Sequence, residues 1–206
     1  MRTVLLATTN AGKRAEFERL LPPDVHVRTL RDLDLVLPPE EGTTFAEAAA
    51  AKACFAAGRS GMLSIADDSG LEVDALDGEP GLRSARYAGD EATDVANREK
   101  LLTAMREVPD SDRTARFRCA VAIADVSGLV ALAEGSCEGV IAAAEAGEHG
   151  FGYDPIFRLP SGRTMAELLP EEKNQISHRA MAYQAVLPVL LSLLSAIGEP
   201  RRGEAQ

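Results

Sequence analysis

The stretch Met62-Leu63-Ser64-Ile65-Ala66-Asp67-Asp68-Ser69-Gly70-Leu71 decides how this chain is read. Residues 62–65 form a short apolar run that reads as a buried strand. Two adjacent carboxylates, a hydroxyl and a glycine follow, where such a strand would end. Neighbouring strand side chains point to opposite faces, so one aspartate can enter a cleft while the other braces the turn. Carboxylates at a strand end are a common way to hold Mg2+ or to deprotonate a water. Asp, Ser and Gly are also ordinary turn residues, so the run alone suits a plain turn equally well. Its partners elsewhere in the chain decide between the two.

Outward from this run the pattern alternates strands and helices. Residues 4–8 form a short opening strand, and residues 12–21 carry Phe17, Leu20 and Leu21 at helical spacing until Pro22-Pro23 stops them. A second strand covers residues 25–30. Thr44-x-x-Glu47 is a capping-box pattern opening an alanine-rich helix that ends near Gly58. Residues 71–76 resume a strand after the aspartate turn. A helix is expected over residues 93–108. Residues 115–124 alternate, with Phe117, Cys119, Val121 and Ile123 on one side, which predicts a strand buried on one face. Residues 129–138 pair with it through Ser127-Gly128. Thr164-x-x-Glu167 opens a short helix, and residues 178–197 form the last long helix, interrupted or kinked at Pro188. No linker divides the chain. The expectation is one α/β domain over residues 1–197 with a mixed sheet, bilobal around a cleft, and a disordered polar tail over residues 198–206.

Composition sets further bounds. The chain has 206 residues, 46% of them hydrophobic and 26% charged, with a net charge of −10. An acidic protein lacks the basic field that nucleic-acid and membrane-surface binders use, so no nucleic acid and no membrane partner is expected. No apolar run approaches the length of a membrane span. Cys54, Cys119 and Cys137 are widely spaced with no C-x-x-C pairing, and read as reduced core thiols of a cytoplasmic protein.

Several segments carry chemistry-bearing residues. Thr8-Thr9-Asn10-Ala11-Gly12-Lys13 lies between a strand and a helix, where backbone N–H groups and the helix dipole form an anion site. The Walker spacing is absent, and a plain turn with a solvated lysine explains the segment as well. Lys52 reads as a solvated helix lysine when taken alone. Glu40 and Glu41, in a Pro/Gly loop, are surface charge or completion of a metal site with Asp68. In Gly150-Phe151-Gly152-Tyr153-Asp154-Pro155, aromatics between glycines suit stacking on a planar ligand, or a plug under a tight turn. Lys173 precedes Ser177-His178-Arg179, which puts donors at a helix start, another place where anions or carbonyls are recognised.

Together these segments resemble the inosine triphosphate pyrophosphatase family, the XTP/dITP diphosphatases. The ordered matches are L-L-A-T-T-N-A-G-K at 5–13, E-E-G-T-T-F-A-E-A at 40–48, I-A-D-D-S-G-L-E-V-D at 65–74, P-G-L-R-S-A-R-Y-A-G at 80–89, G-F-G-Y-D-P-I-F at 150–157 and E-E-K-N-Q-I-S-H-R at 171–179. The resemblance implies an elongated mixed sheet with flanking helices in two lobes around a central cleft, usually a homodimer. It implies Mg2+-dependent splitting of purine nucleoside triphosphates such as ITP, dITP and XTP into monophosphate and pyrophosphate. Asp68 then matches the proton acceptor and metal-linked carboxylate, with Glu40 best aligned as the second metal ligand and Glu41 one residue away. Residues 8–13, Ser69, Phe151, Gly152, Tyr153, Asp154, Lys173, His178 and Arg179 match substrate contacts, and Lys52 joins the cations around the triphosphate. Arg179 and the N–H groups near His178 would present donors to the purine C6 oxygen. The chain departs from the family pattern at Thr9, where many members have glycine, at Ala48, where the pattern has asparagine, and at Cys137-Glu138, in place of a Trp-Pro pair. Two alternatives remain at this point: a Maf-like nucleotide pyrophosphatase, and a nucleotide-binding sensor that has lost catalysis.

Overall fold

The computed structural model describes residues 2–38 and 42–198. The opening strand β1 (Arg2–Leu6) is followed by α1 (Ala11–Leu20) and β2 (Val25–Thr29). The alanine-rich helix α2 (Phe45–Ser60) leads into β3 (Ser64–Val73), and α3 (Asp94–Ala104) into β4 (Thr114–Asp125) and β5 (Gly128–Ile141). The chain closes with the two-residue β6 (Phe157–Arg158), α4 (Pro170–Ile176) and α5 (His178–Gly198). One mixed sheet runs β2-β1-β3-β4-β5-β6. β1 pairs in parallel with β2 and β3, and the remaining pairs are antiparallel.

Local chemistry sets the helix ends. Asn10 caps α1 by accepting from the Lys13 N–H at 2.9 Å. Thr44 caps α2 by accepting from the Glu47 N–H at 3.1 Å, while the Glu47 carboxylate reaches back to the Thr43 N–H at 2.8 Å. Gly61, with φ at 70°, ends α2 in the left-handed conformation that glycine adopts freely.

Three expectations change. The Asp67-Asp68 pair does not sit in a turn. β3 runs unbroken through it, with Asp67 opposite Val121 and Asp68 opposite Ala120. Ten consecutive cross-strand pairs with β4 override the turn preference of Asp, Ser and Gly. What ends there is the neighbouring ladder: β1 pairs with β3 only at Leu5↔Ser64 and Leu6↔Ile65. Next, β4 is buried on both faces over residues 119–124, while Arg116 and Arg118 keep the wetter side that the alternation predicted. Cys119, Val121 and Ile123 pack under α5, and Ala120, Ala122 and Ala124 pack under α2, whose Ala49, Ala53, Ala56 and Ala57 are fully buried. Small side chains on both surfaces let that helix lie close to the sheet, so over residues 119–124 the second face is a second packing rather than a wet side. Finally, residues 178–196 are long and apolar enough to cross a membrane by length and composition. Ala182, Tyr183, Val186, Leu190 and Leu194 of that helix are instead core residues packed on the sheet. Pro188 lies inside α5 without ending it.

The buried side chains fall into clusters beneath α5 and α1, beneath α2, and at the far end of the sheet, where Leu101 and Met105 meet Tyr153, Ile156 and Phe157. A cavity of about 290 Å³ opens between the first cluster and the last, walled by Asn10 and Lys13 on one side and Ala85 and Asn97 on the other.

Candidate active site

Strand alternation sends Asp67 and Ser69 toward α5 and Asp68 toward α2. Asp67 is 2% exposed. Its Oδ2 accepts from Arg179 Nε at 3.1 Å and lies 3.1 Å from Lys13 Nζ. Its Oδ1 has no hydrogen-bond partner among the described residues. Burial works to raise the Asp67 pKa, but Lys13 and Arg179 outweigh it and hold the carboxyl well below the usual range. Behind it, burial first and the Asp67 charge second push the Cys119 thiol far up, so that sulfur is no nucleophile at neutral pH.

The same cations reach further. Arg179 donates to Ser69 Oγ at 2.8 Å and to Glu16, and its guanidinium is 1% exposed. Lys173 Nζ lies 2.7 Å from Glu16 and 2.5 Å from Asp154. Three acids, Glu16, Asp67 and Asp154, thus bury together with three bases, Lys13, Lys173 and Arg179. Burial opposes the charge on Glu16, and Arg179 and Lys173 lower its pKa past that penalty. For Asp154 burial wins, and its pKa is raised despite Lys173 and the Phe151 N–H. His178 stacks on Phe117 at 4.7 Å, and its buried Nδ1 has no partner among the described residues. Burial, Arg179 and Lys173 drive its pKa well below 6.5, so the imidazole is neutral at pH 7.

The Phe151 ring forms a wall of the cavity, with Lys173 Nζ 5.0 Å and the Arg179 guanidinium 5.7 Å from its centre. Gly12 is what lets it lie there, since a Cβ at position 12 would come within 2.5 Å of the ring. Phe151 N–H donates to Asp154 at 2.8 Å, and the Tyr153 hydroxyl ties the loop to the Ser84 carbonyl at 2.8 Å. An aromatic plate, a neutral imidazole and buried cations suit a planar, polar heterocycle.

Asp68 is on the other face, where Lys52 Nζ lies 2.6 Å from its Oδ1. Among the described residues no three His, Cys, Asp or Glu side chains cluster as a ready metal cage. The Asp68 carboxylate is nevertheless a hard oxygen donor of the kind Mg2+ takes, because that ion completes its shell with waters and substrate phosphates. Glu40 and Glu41, the expected partners, lie outside the described residues.

The structure thus gathers Lys13, Ser69, Phe151, Gly152, Tyr153, Asp154, Lys173, His178 and Arg179 around one cavity and sets Lys52 against Asp68. Thr8 accepts from the Asn10 N–H at 3.2 Å, Thr9 is exposed in the same loop, and Ala11 is exposed as the first residue of α1. The Arg179 guanidinium, expected to meet a base, is committed to Asp67, Glu16 and Ser69. At the start of α5, Ser177 Oγ accepts from the Ala180 N–H at 3.2 Å. Sequence reading missed Glu16. It looked like one more charge on an amphipathic helix, and its partners are more than 150 residues away.

The profile of the Ham1 family matches residues 4–189. The dITP/XTP pyrophosphatase of Geobacillus kaustophilus (strain HTA426) is 53% identical over 185 residues, covering 88% of this chain and 91% of that protein. The dITP/XTP pyrophosphatase of Desulforamulus reducens is 50% identical over 190 residues, covering 91% and 94%. Among solved structures, a HAM1 protein from Coxiella burnetii is 41% identical with a TM-score of 0.83, covering 93% of this chain and 100% of that one.

Proposed function

The chain belongs to the Ham1 family, and from that premise we propose that it hydrolyses deaminated purine nucleoside triphosphates, ITP, dITP and XTP, to the monophosphate and pyrophosphate, which cleanses the nucleotide pool. The observation that carries this reading is the cavity in which Phe151, neutral His178 and buried Lys173 converge, with the Asp68–Lys52 pair across the sheet from it. The base stacks on Phe151, and Lys13 and Lys52 meet the phosphates. Asp68 accepts the proton of the water that attacks the α-phosphorus, and pyrophosphate leaves. When bound, Mg2+ held by Asp68 and Glu40 would neutralise phosphate charge.

Base choice follows from hydrogen-bond polarity. Hypoxanthine and xanthine carry an acceptor at C6, where adenine carries a donor. Backbone N–H groups at the start of α5 would donate to the former and meet only another donor in the latter, and a buried mismatch of that kind discriminates by ~10⁴–10⁵. We extend the reading to a single catalytic domain over residues 1–197 with a tail over 198–206. Its setting is the cytoplasm, supported by three free cysteines. A homodimer is supported by exposed Leu129, Val130 and Leu132 on β5.

Incubation with ITP, XTP, GTP and ATP, with Mg2+ or chelator, followed by chromatography, tests the reading. IMP plus pyrophosphate from ITP is expected. IDP plus phosphate would overturn the cleavage site, equal kcat/KM for ATP would overturn the base argument, and binding without turnover would make the protein a sensor.

A further inference from the structure

One face of α3 holds the backbone of two segments beside the cavity, residues 85–88 and the loop at Gly152. Residues 94, 97 and 98 share that face by helical spacing. Asn97 accepts from the Ala88 N–H at 2.7 Å and donates to the Ala85 carbonyl at 3.1 Å. Asp94 accepts from the Gly152 N–H at 2.7 Å, and Arg98 donates to the Gly152 carbonyl at 2.9 Å. Arg98 is itself locked in a two-pronged pair with Glu145, at 2.8 and 3.2 Å. Both backbone polar groups of one glycine are therefore gripped by side chains one turn apart.

That glycine needs gripping. Gly150 and Gly152, on either side of Phe151, both take positive φ, 79° and 61°. Two such glycines give the free chain far more conformations than the cavity can use. The Phe151 N–H is already held by Asp154, so fixing Gly152 pins the ring from its other side.

We propose that Asp94 and Arg98 are positioning residues that hold Gly152 and thereby keep the Phe151 ring in place for the nucleobase. The proposal rests on the nucleotide-hydrolase reading for its ligand but not for its geometry. Neither residue touches the reacting atoms. A ring pinned in advance lowers the ordering cost of binding equally for ground and transition states, so losing the clamp raises KM and leaves kcat.

The test measures ITP kinetics and calorimetric IMP binding for the parent, Asp94→Ala, Asp94→Asn, Phe151→Ala and the double variant Asp94→Ala/Phe151→Ala, with hydrogen exchange at the Gly152 amide. Asp94→Ala should raise KM for ITP and Kd for IMP roughly tenfold, the scale of one charge-assisted hydrogen bond, with kcat unchanged to within about twofold. Asp94→Asn, which keeps an oxygen for the Gly152 N–H, should stay close to the parent. The double variant should bind no more weakly than Phe151→Ala, because the clamp acts through the ring. The Gly152 amide should exchange faster in Asp94→Ala. Additive losses, a fall in kcat with KM intact, or unchanged Gly152 exchange would each overturn the clamp. A parent that fails to hydrolyse ITP would overturn the pyrophosphatase reading instead, and Gly152 exchange would still decide the clamp.

Discussion

Asp67 and Asp68 are adjacent on β3 yet meet their cations on opposite faces of the sheet: Asp67 lies 3.1 Å from Lys13 and Asp68 lies 2.6 Å from Lys52. The pleat alone produces this division. Asp67 is sunk among Lys13, Arg179 and Ser69, while Asp68 is turned toward α2. Their substitutions should therefore fail in different ways.

Asp68→Asn keeps the shape of the side chain and removes its charge and basicity. Turnover of ITP should fall by at least ~10²–10⁴, the contribution of a general base. The unfolding midpoint in urea should stay near that of the parent. Near-parent activity would remove Asp68 from the proton-transfer role.

Asp67→Asn should act mainly on stability. It leaves Lys13 and Arg179 facing a neutral group in a buried cluster, and breaking one side of a buried ion pair costs about 3 kcal/mol. Equilibrium urea unfolding measures this loss. A variant as stable as the parent would mean that the remaining acids, Glu16 foremost, absorb the freed cations.

His178 ties stability to pH. Its folded-state pKa lies well below 6.5, while an unfolded histidine titrates near that value. Between those two values the unfolded state binds the extra proton, so the stabilisation is complete above pH 6.5 and is lost as pH falls toward the folded pKa. The slope approaches about 1.4 kcal/mol per pH unit. Urea midpoints between pH 5 and 7 should show this slope in the parent, and His178→Gln should flatten it. Equal slopes in the two proteins would place the effect elsewhere.

Two glycines beside the cavity separate a soft contact from a hard one. In Gly12→Ala the new methyl meets the Phe151 ring, a side chain on a loop, so nucleotide affinity should fall while stability changes by less than about 1 kcal/mol. In Gly70→Ala the methyl overlaps the Gly81 carbonyl oxygen and comes within 2.6 Å of Ser84 Oγ. Backbone cannot step aside so easily, and a loss of about 2–3 kcal/mol is expected from thermal or urea unfolding.

Much of this architecture was legible in the sequence because it rests on local signals. The cap at Thr44, the hairpin at Ser127-Gly128 and the Thr164/Glu167 box each lie within a few residues of what they organise. The aspartate pair was misplaced in a turn because its true context, ten rungs to β4, is about fifty residues away. Glu16, Asp94 and Arg98 were invisible for a related reason. On their own helices they look like solvated charge, and only tertiary packing brings Arg179 to the first and Gly152 to the other two.

The two-rung ladder between β1 and β3 acts as a notch in the sheet. Past Ile65, among the described residues, that edge of β3 has no strand paired with it until Glu72 meets Pro80. A flat sheet normally partitions a protein into sides that share no small molecule. Under the pyrophosphatase reading, the nucleotide would cross the sheet at this break, with its ring on the Phe151 side and its phosphates on the Lys52 side. Stitching the notch shut with two more rungs would leave both half-sites intact and the molecule unable to occupy them together.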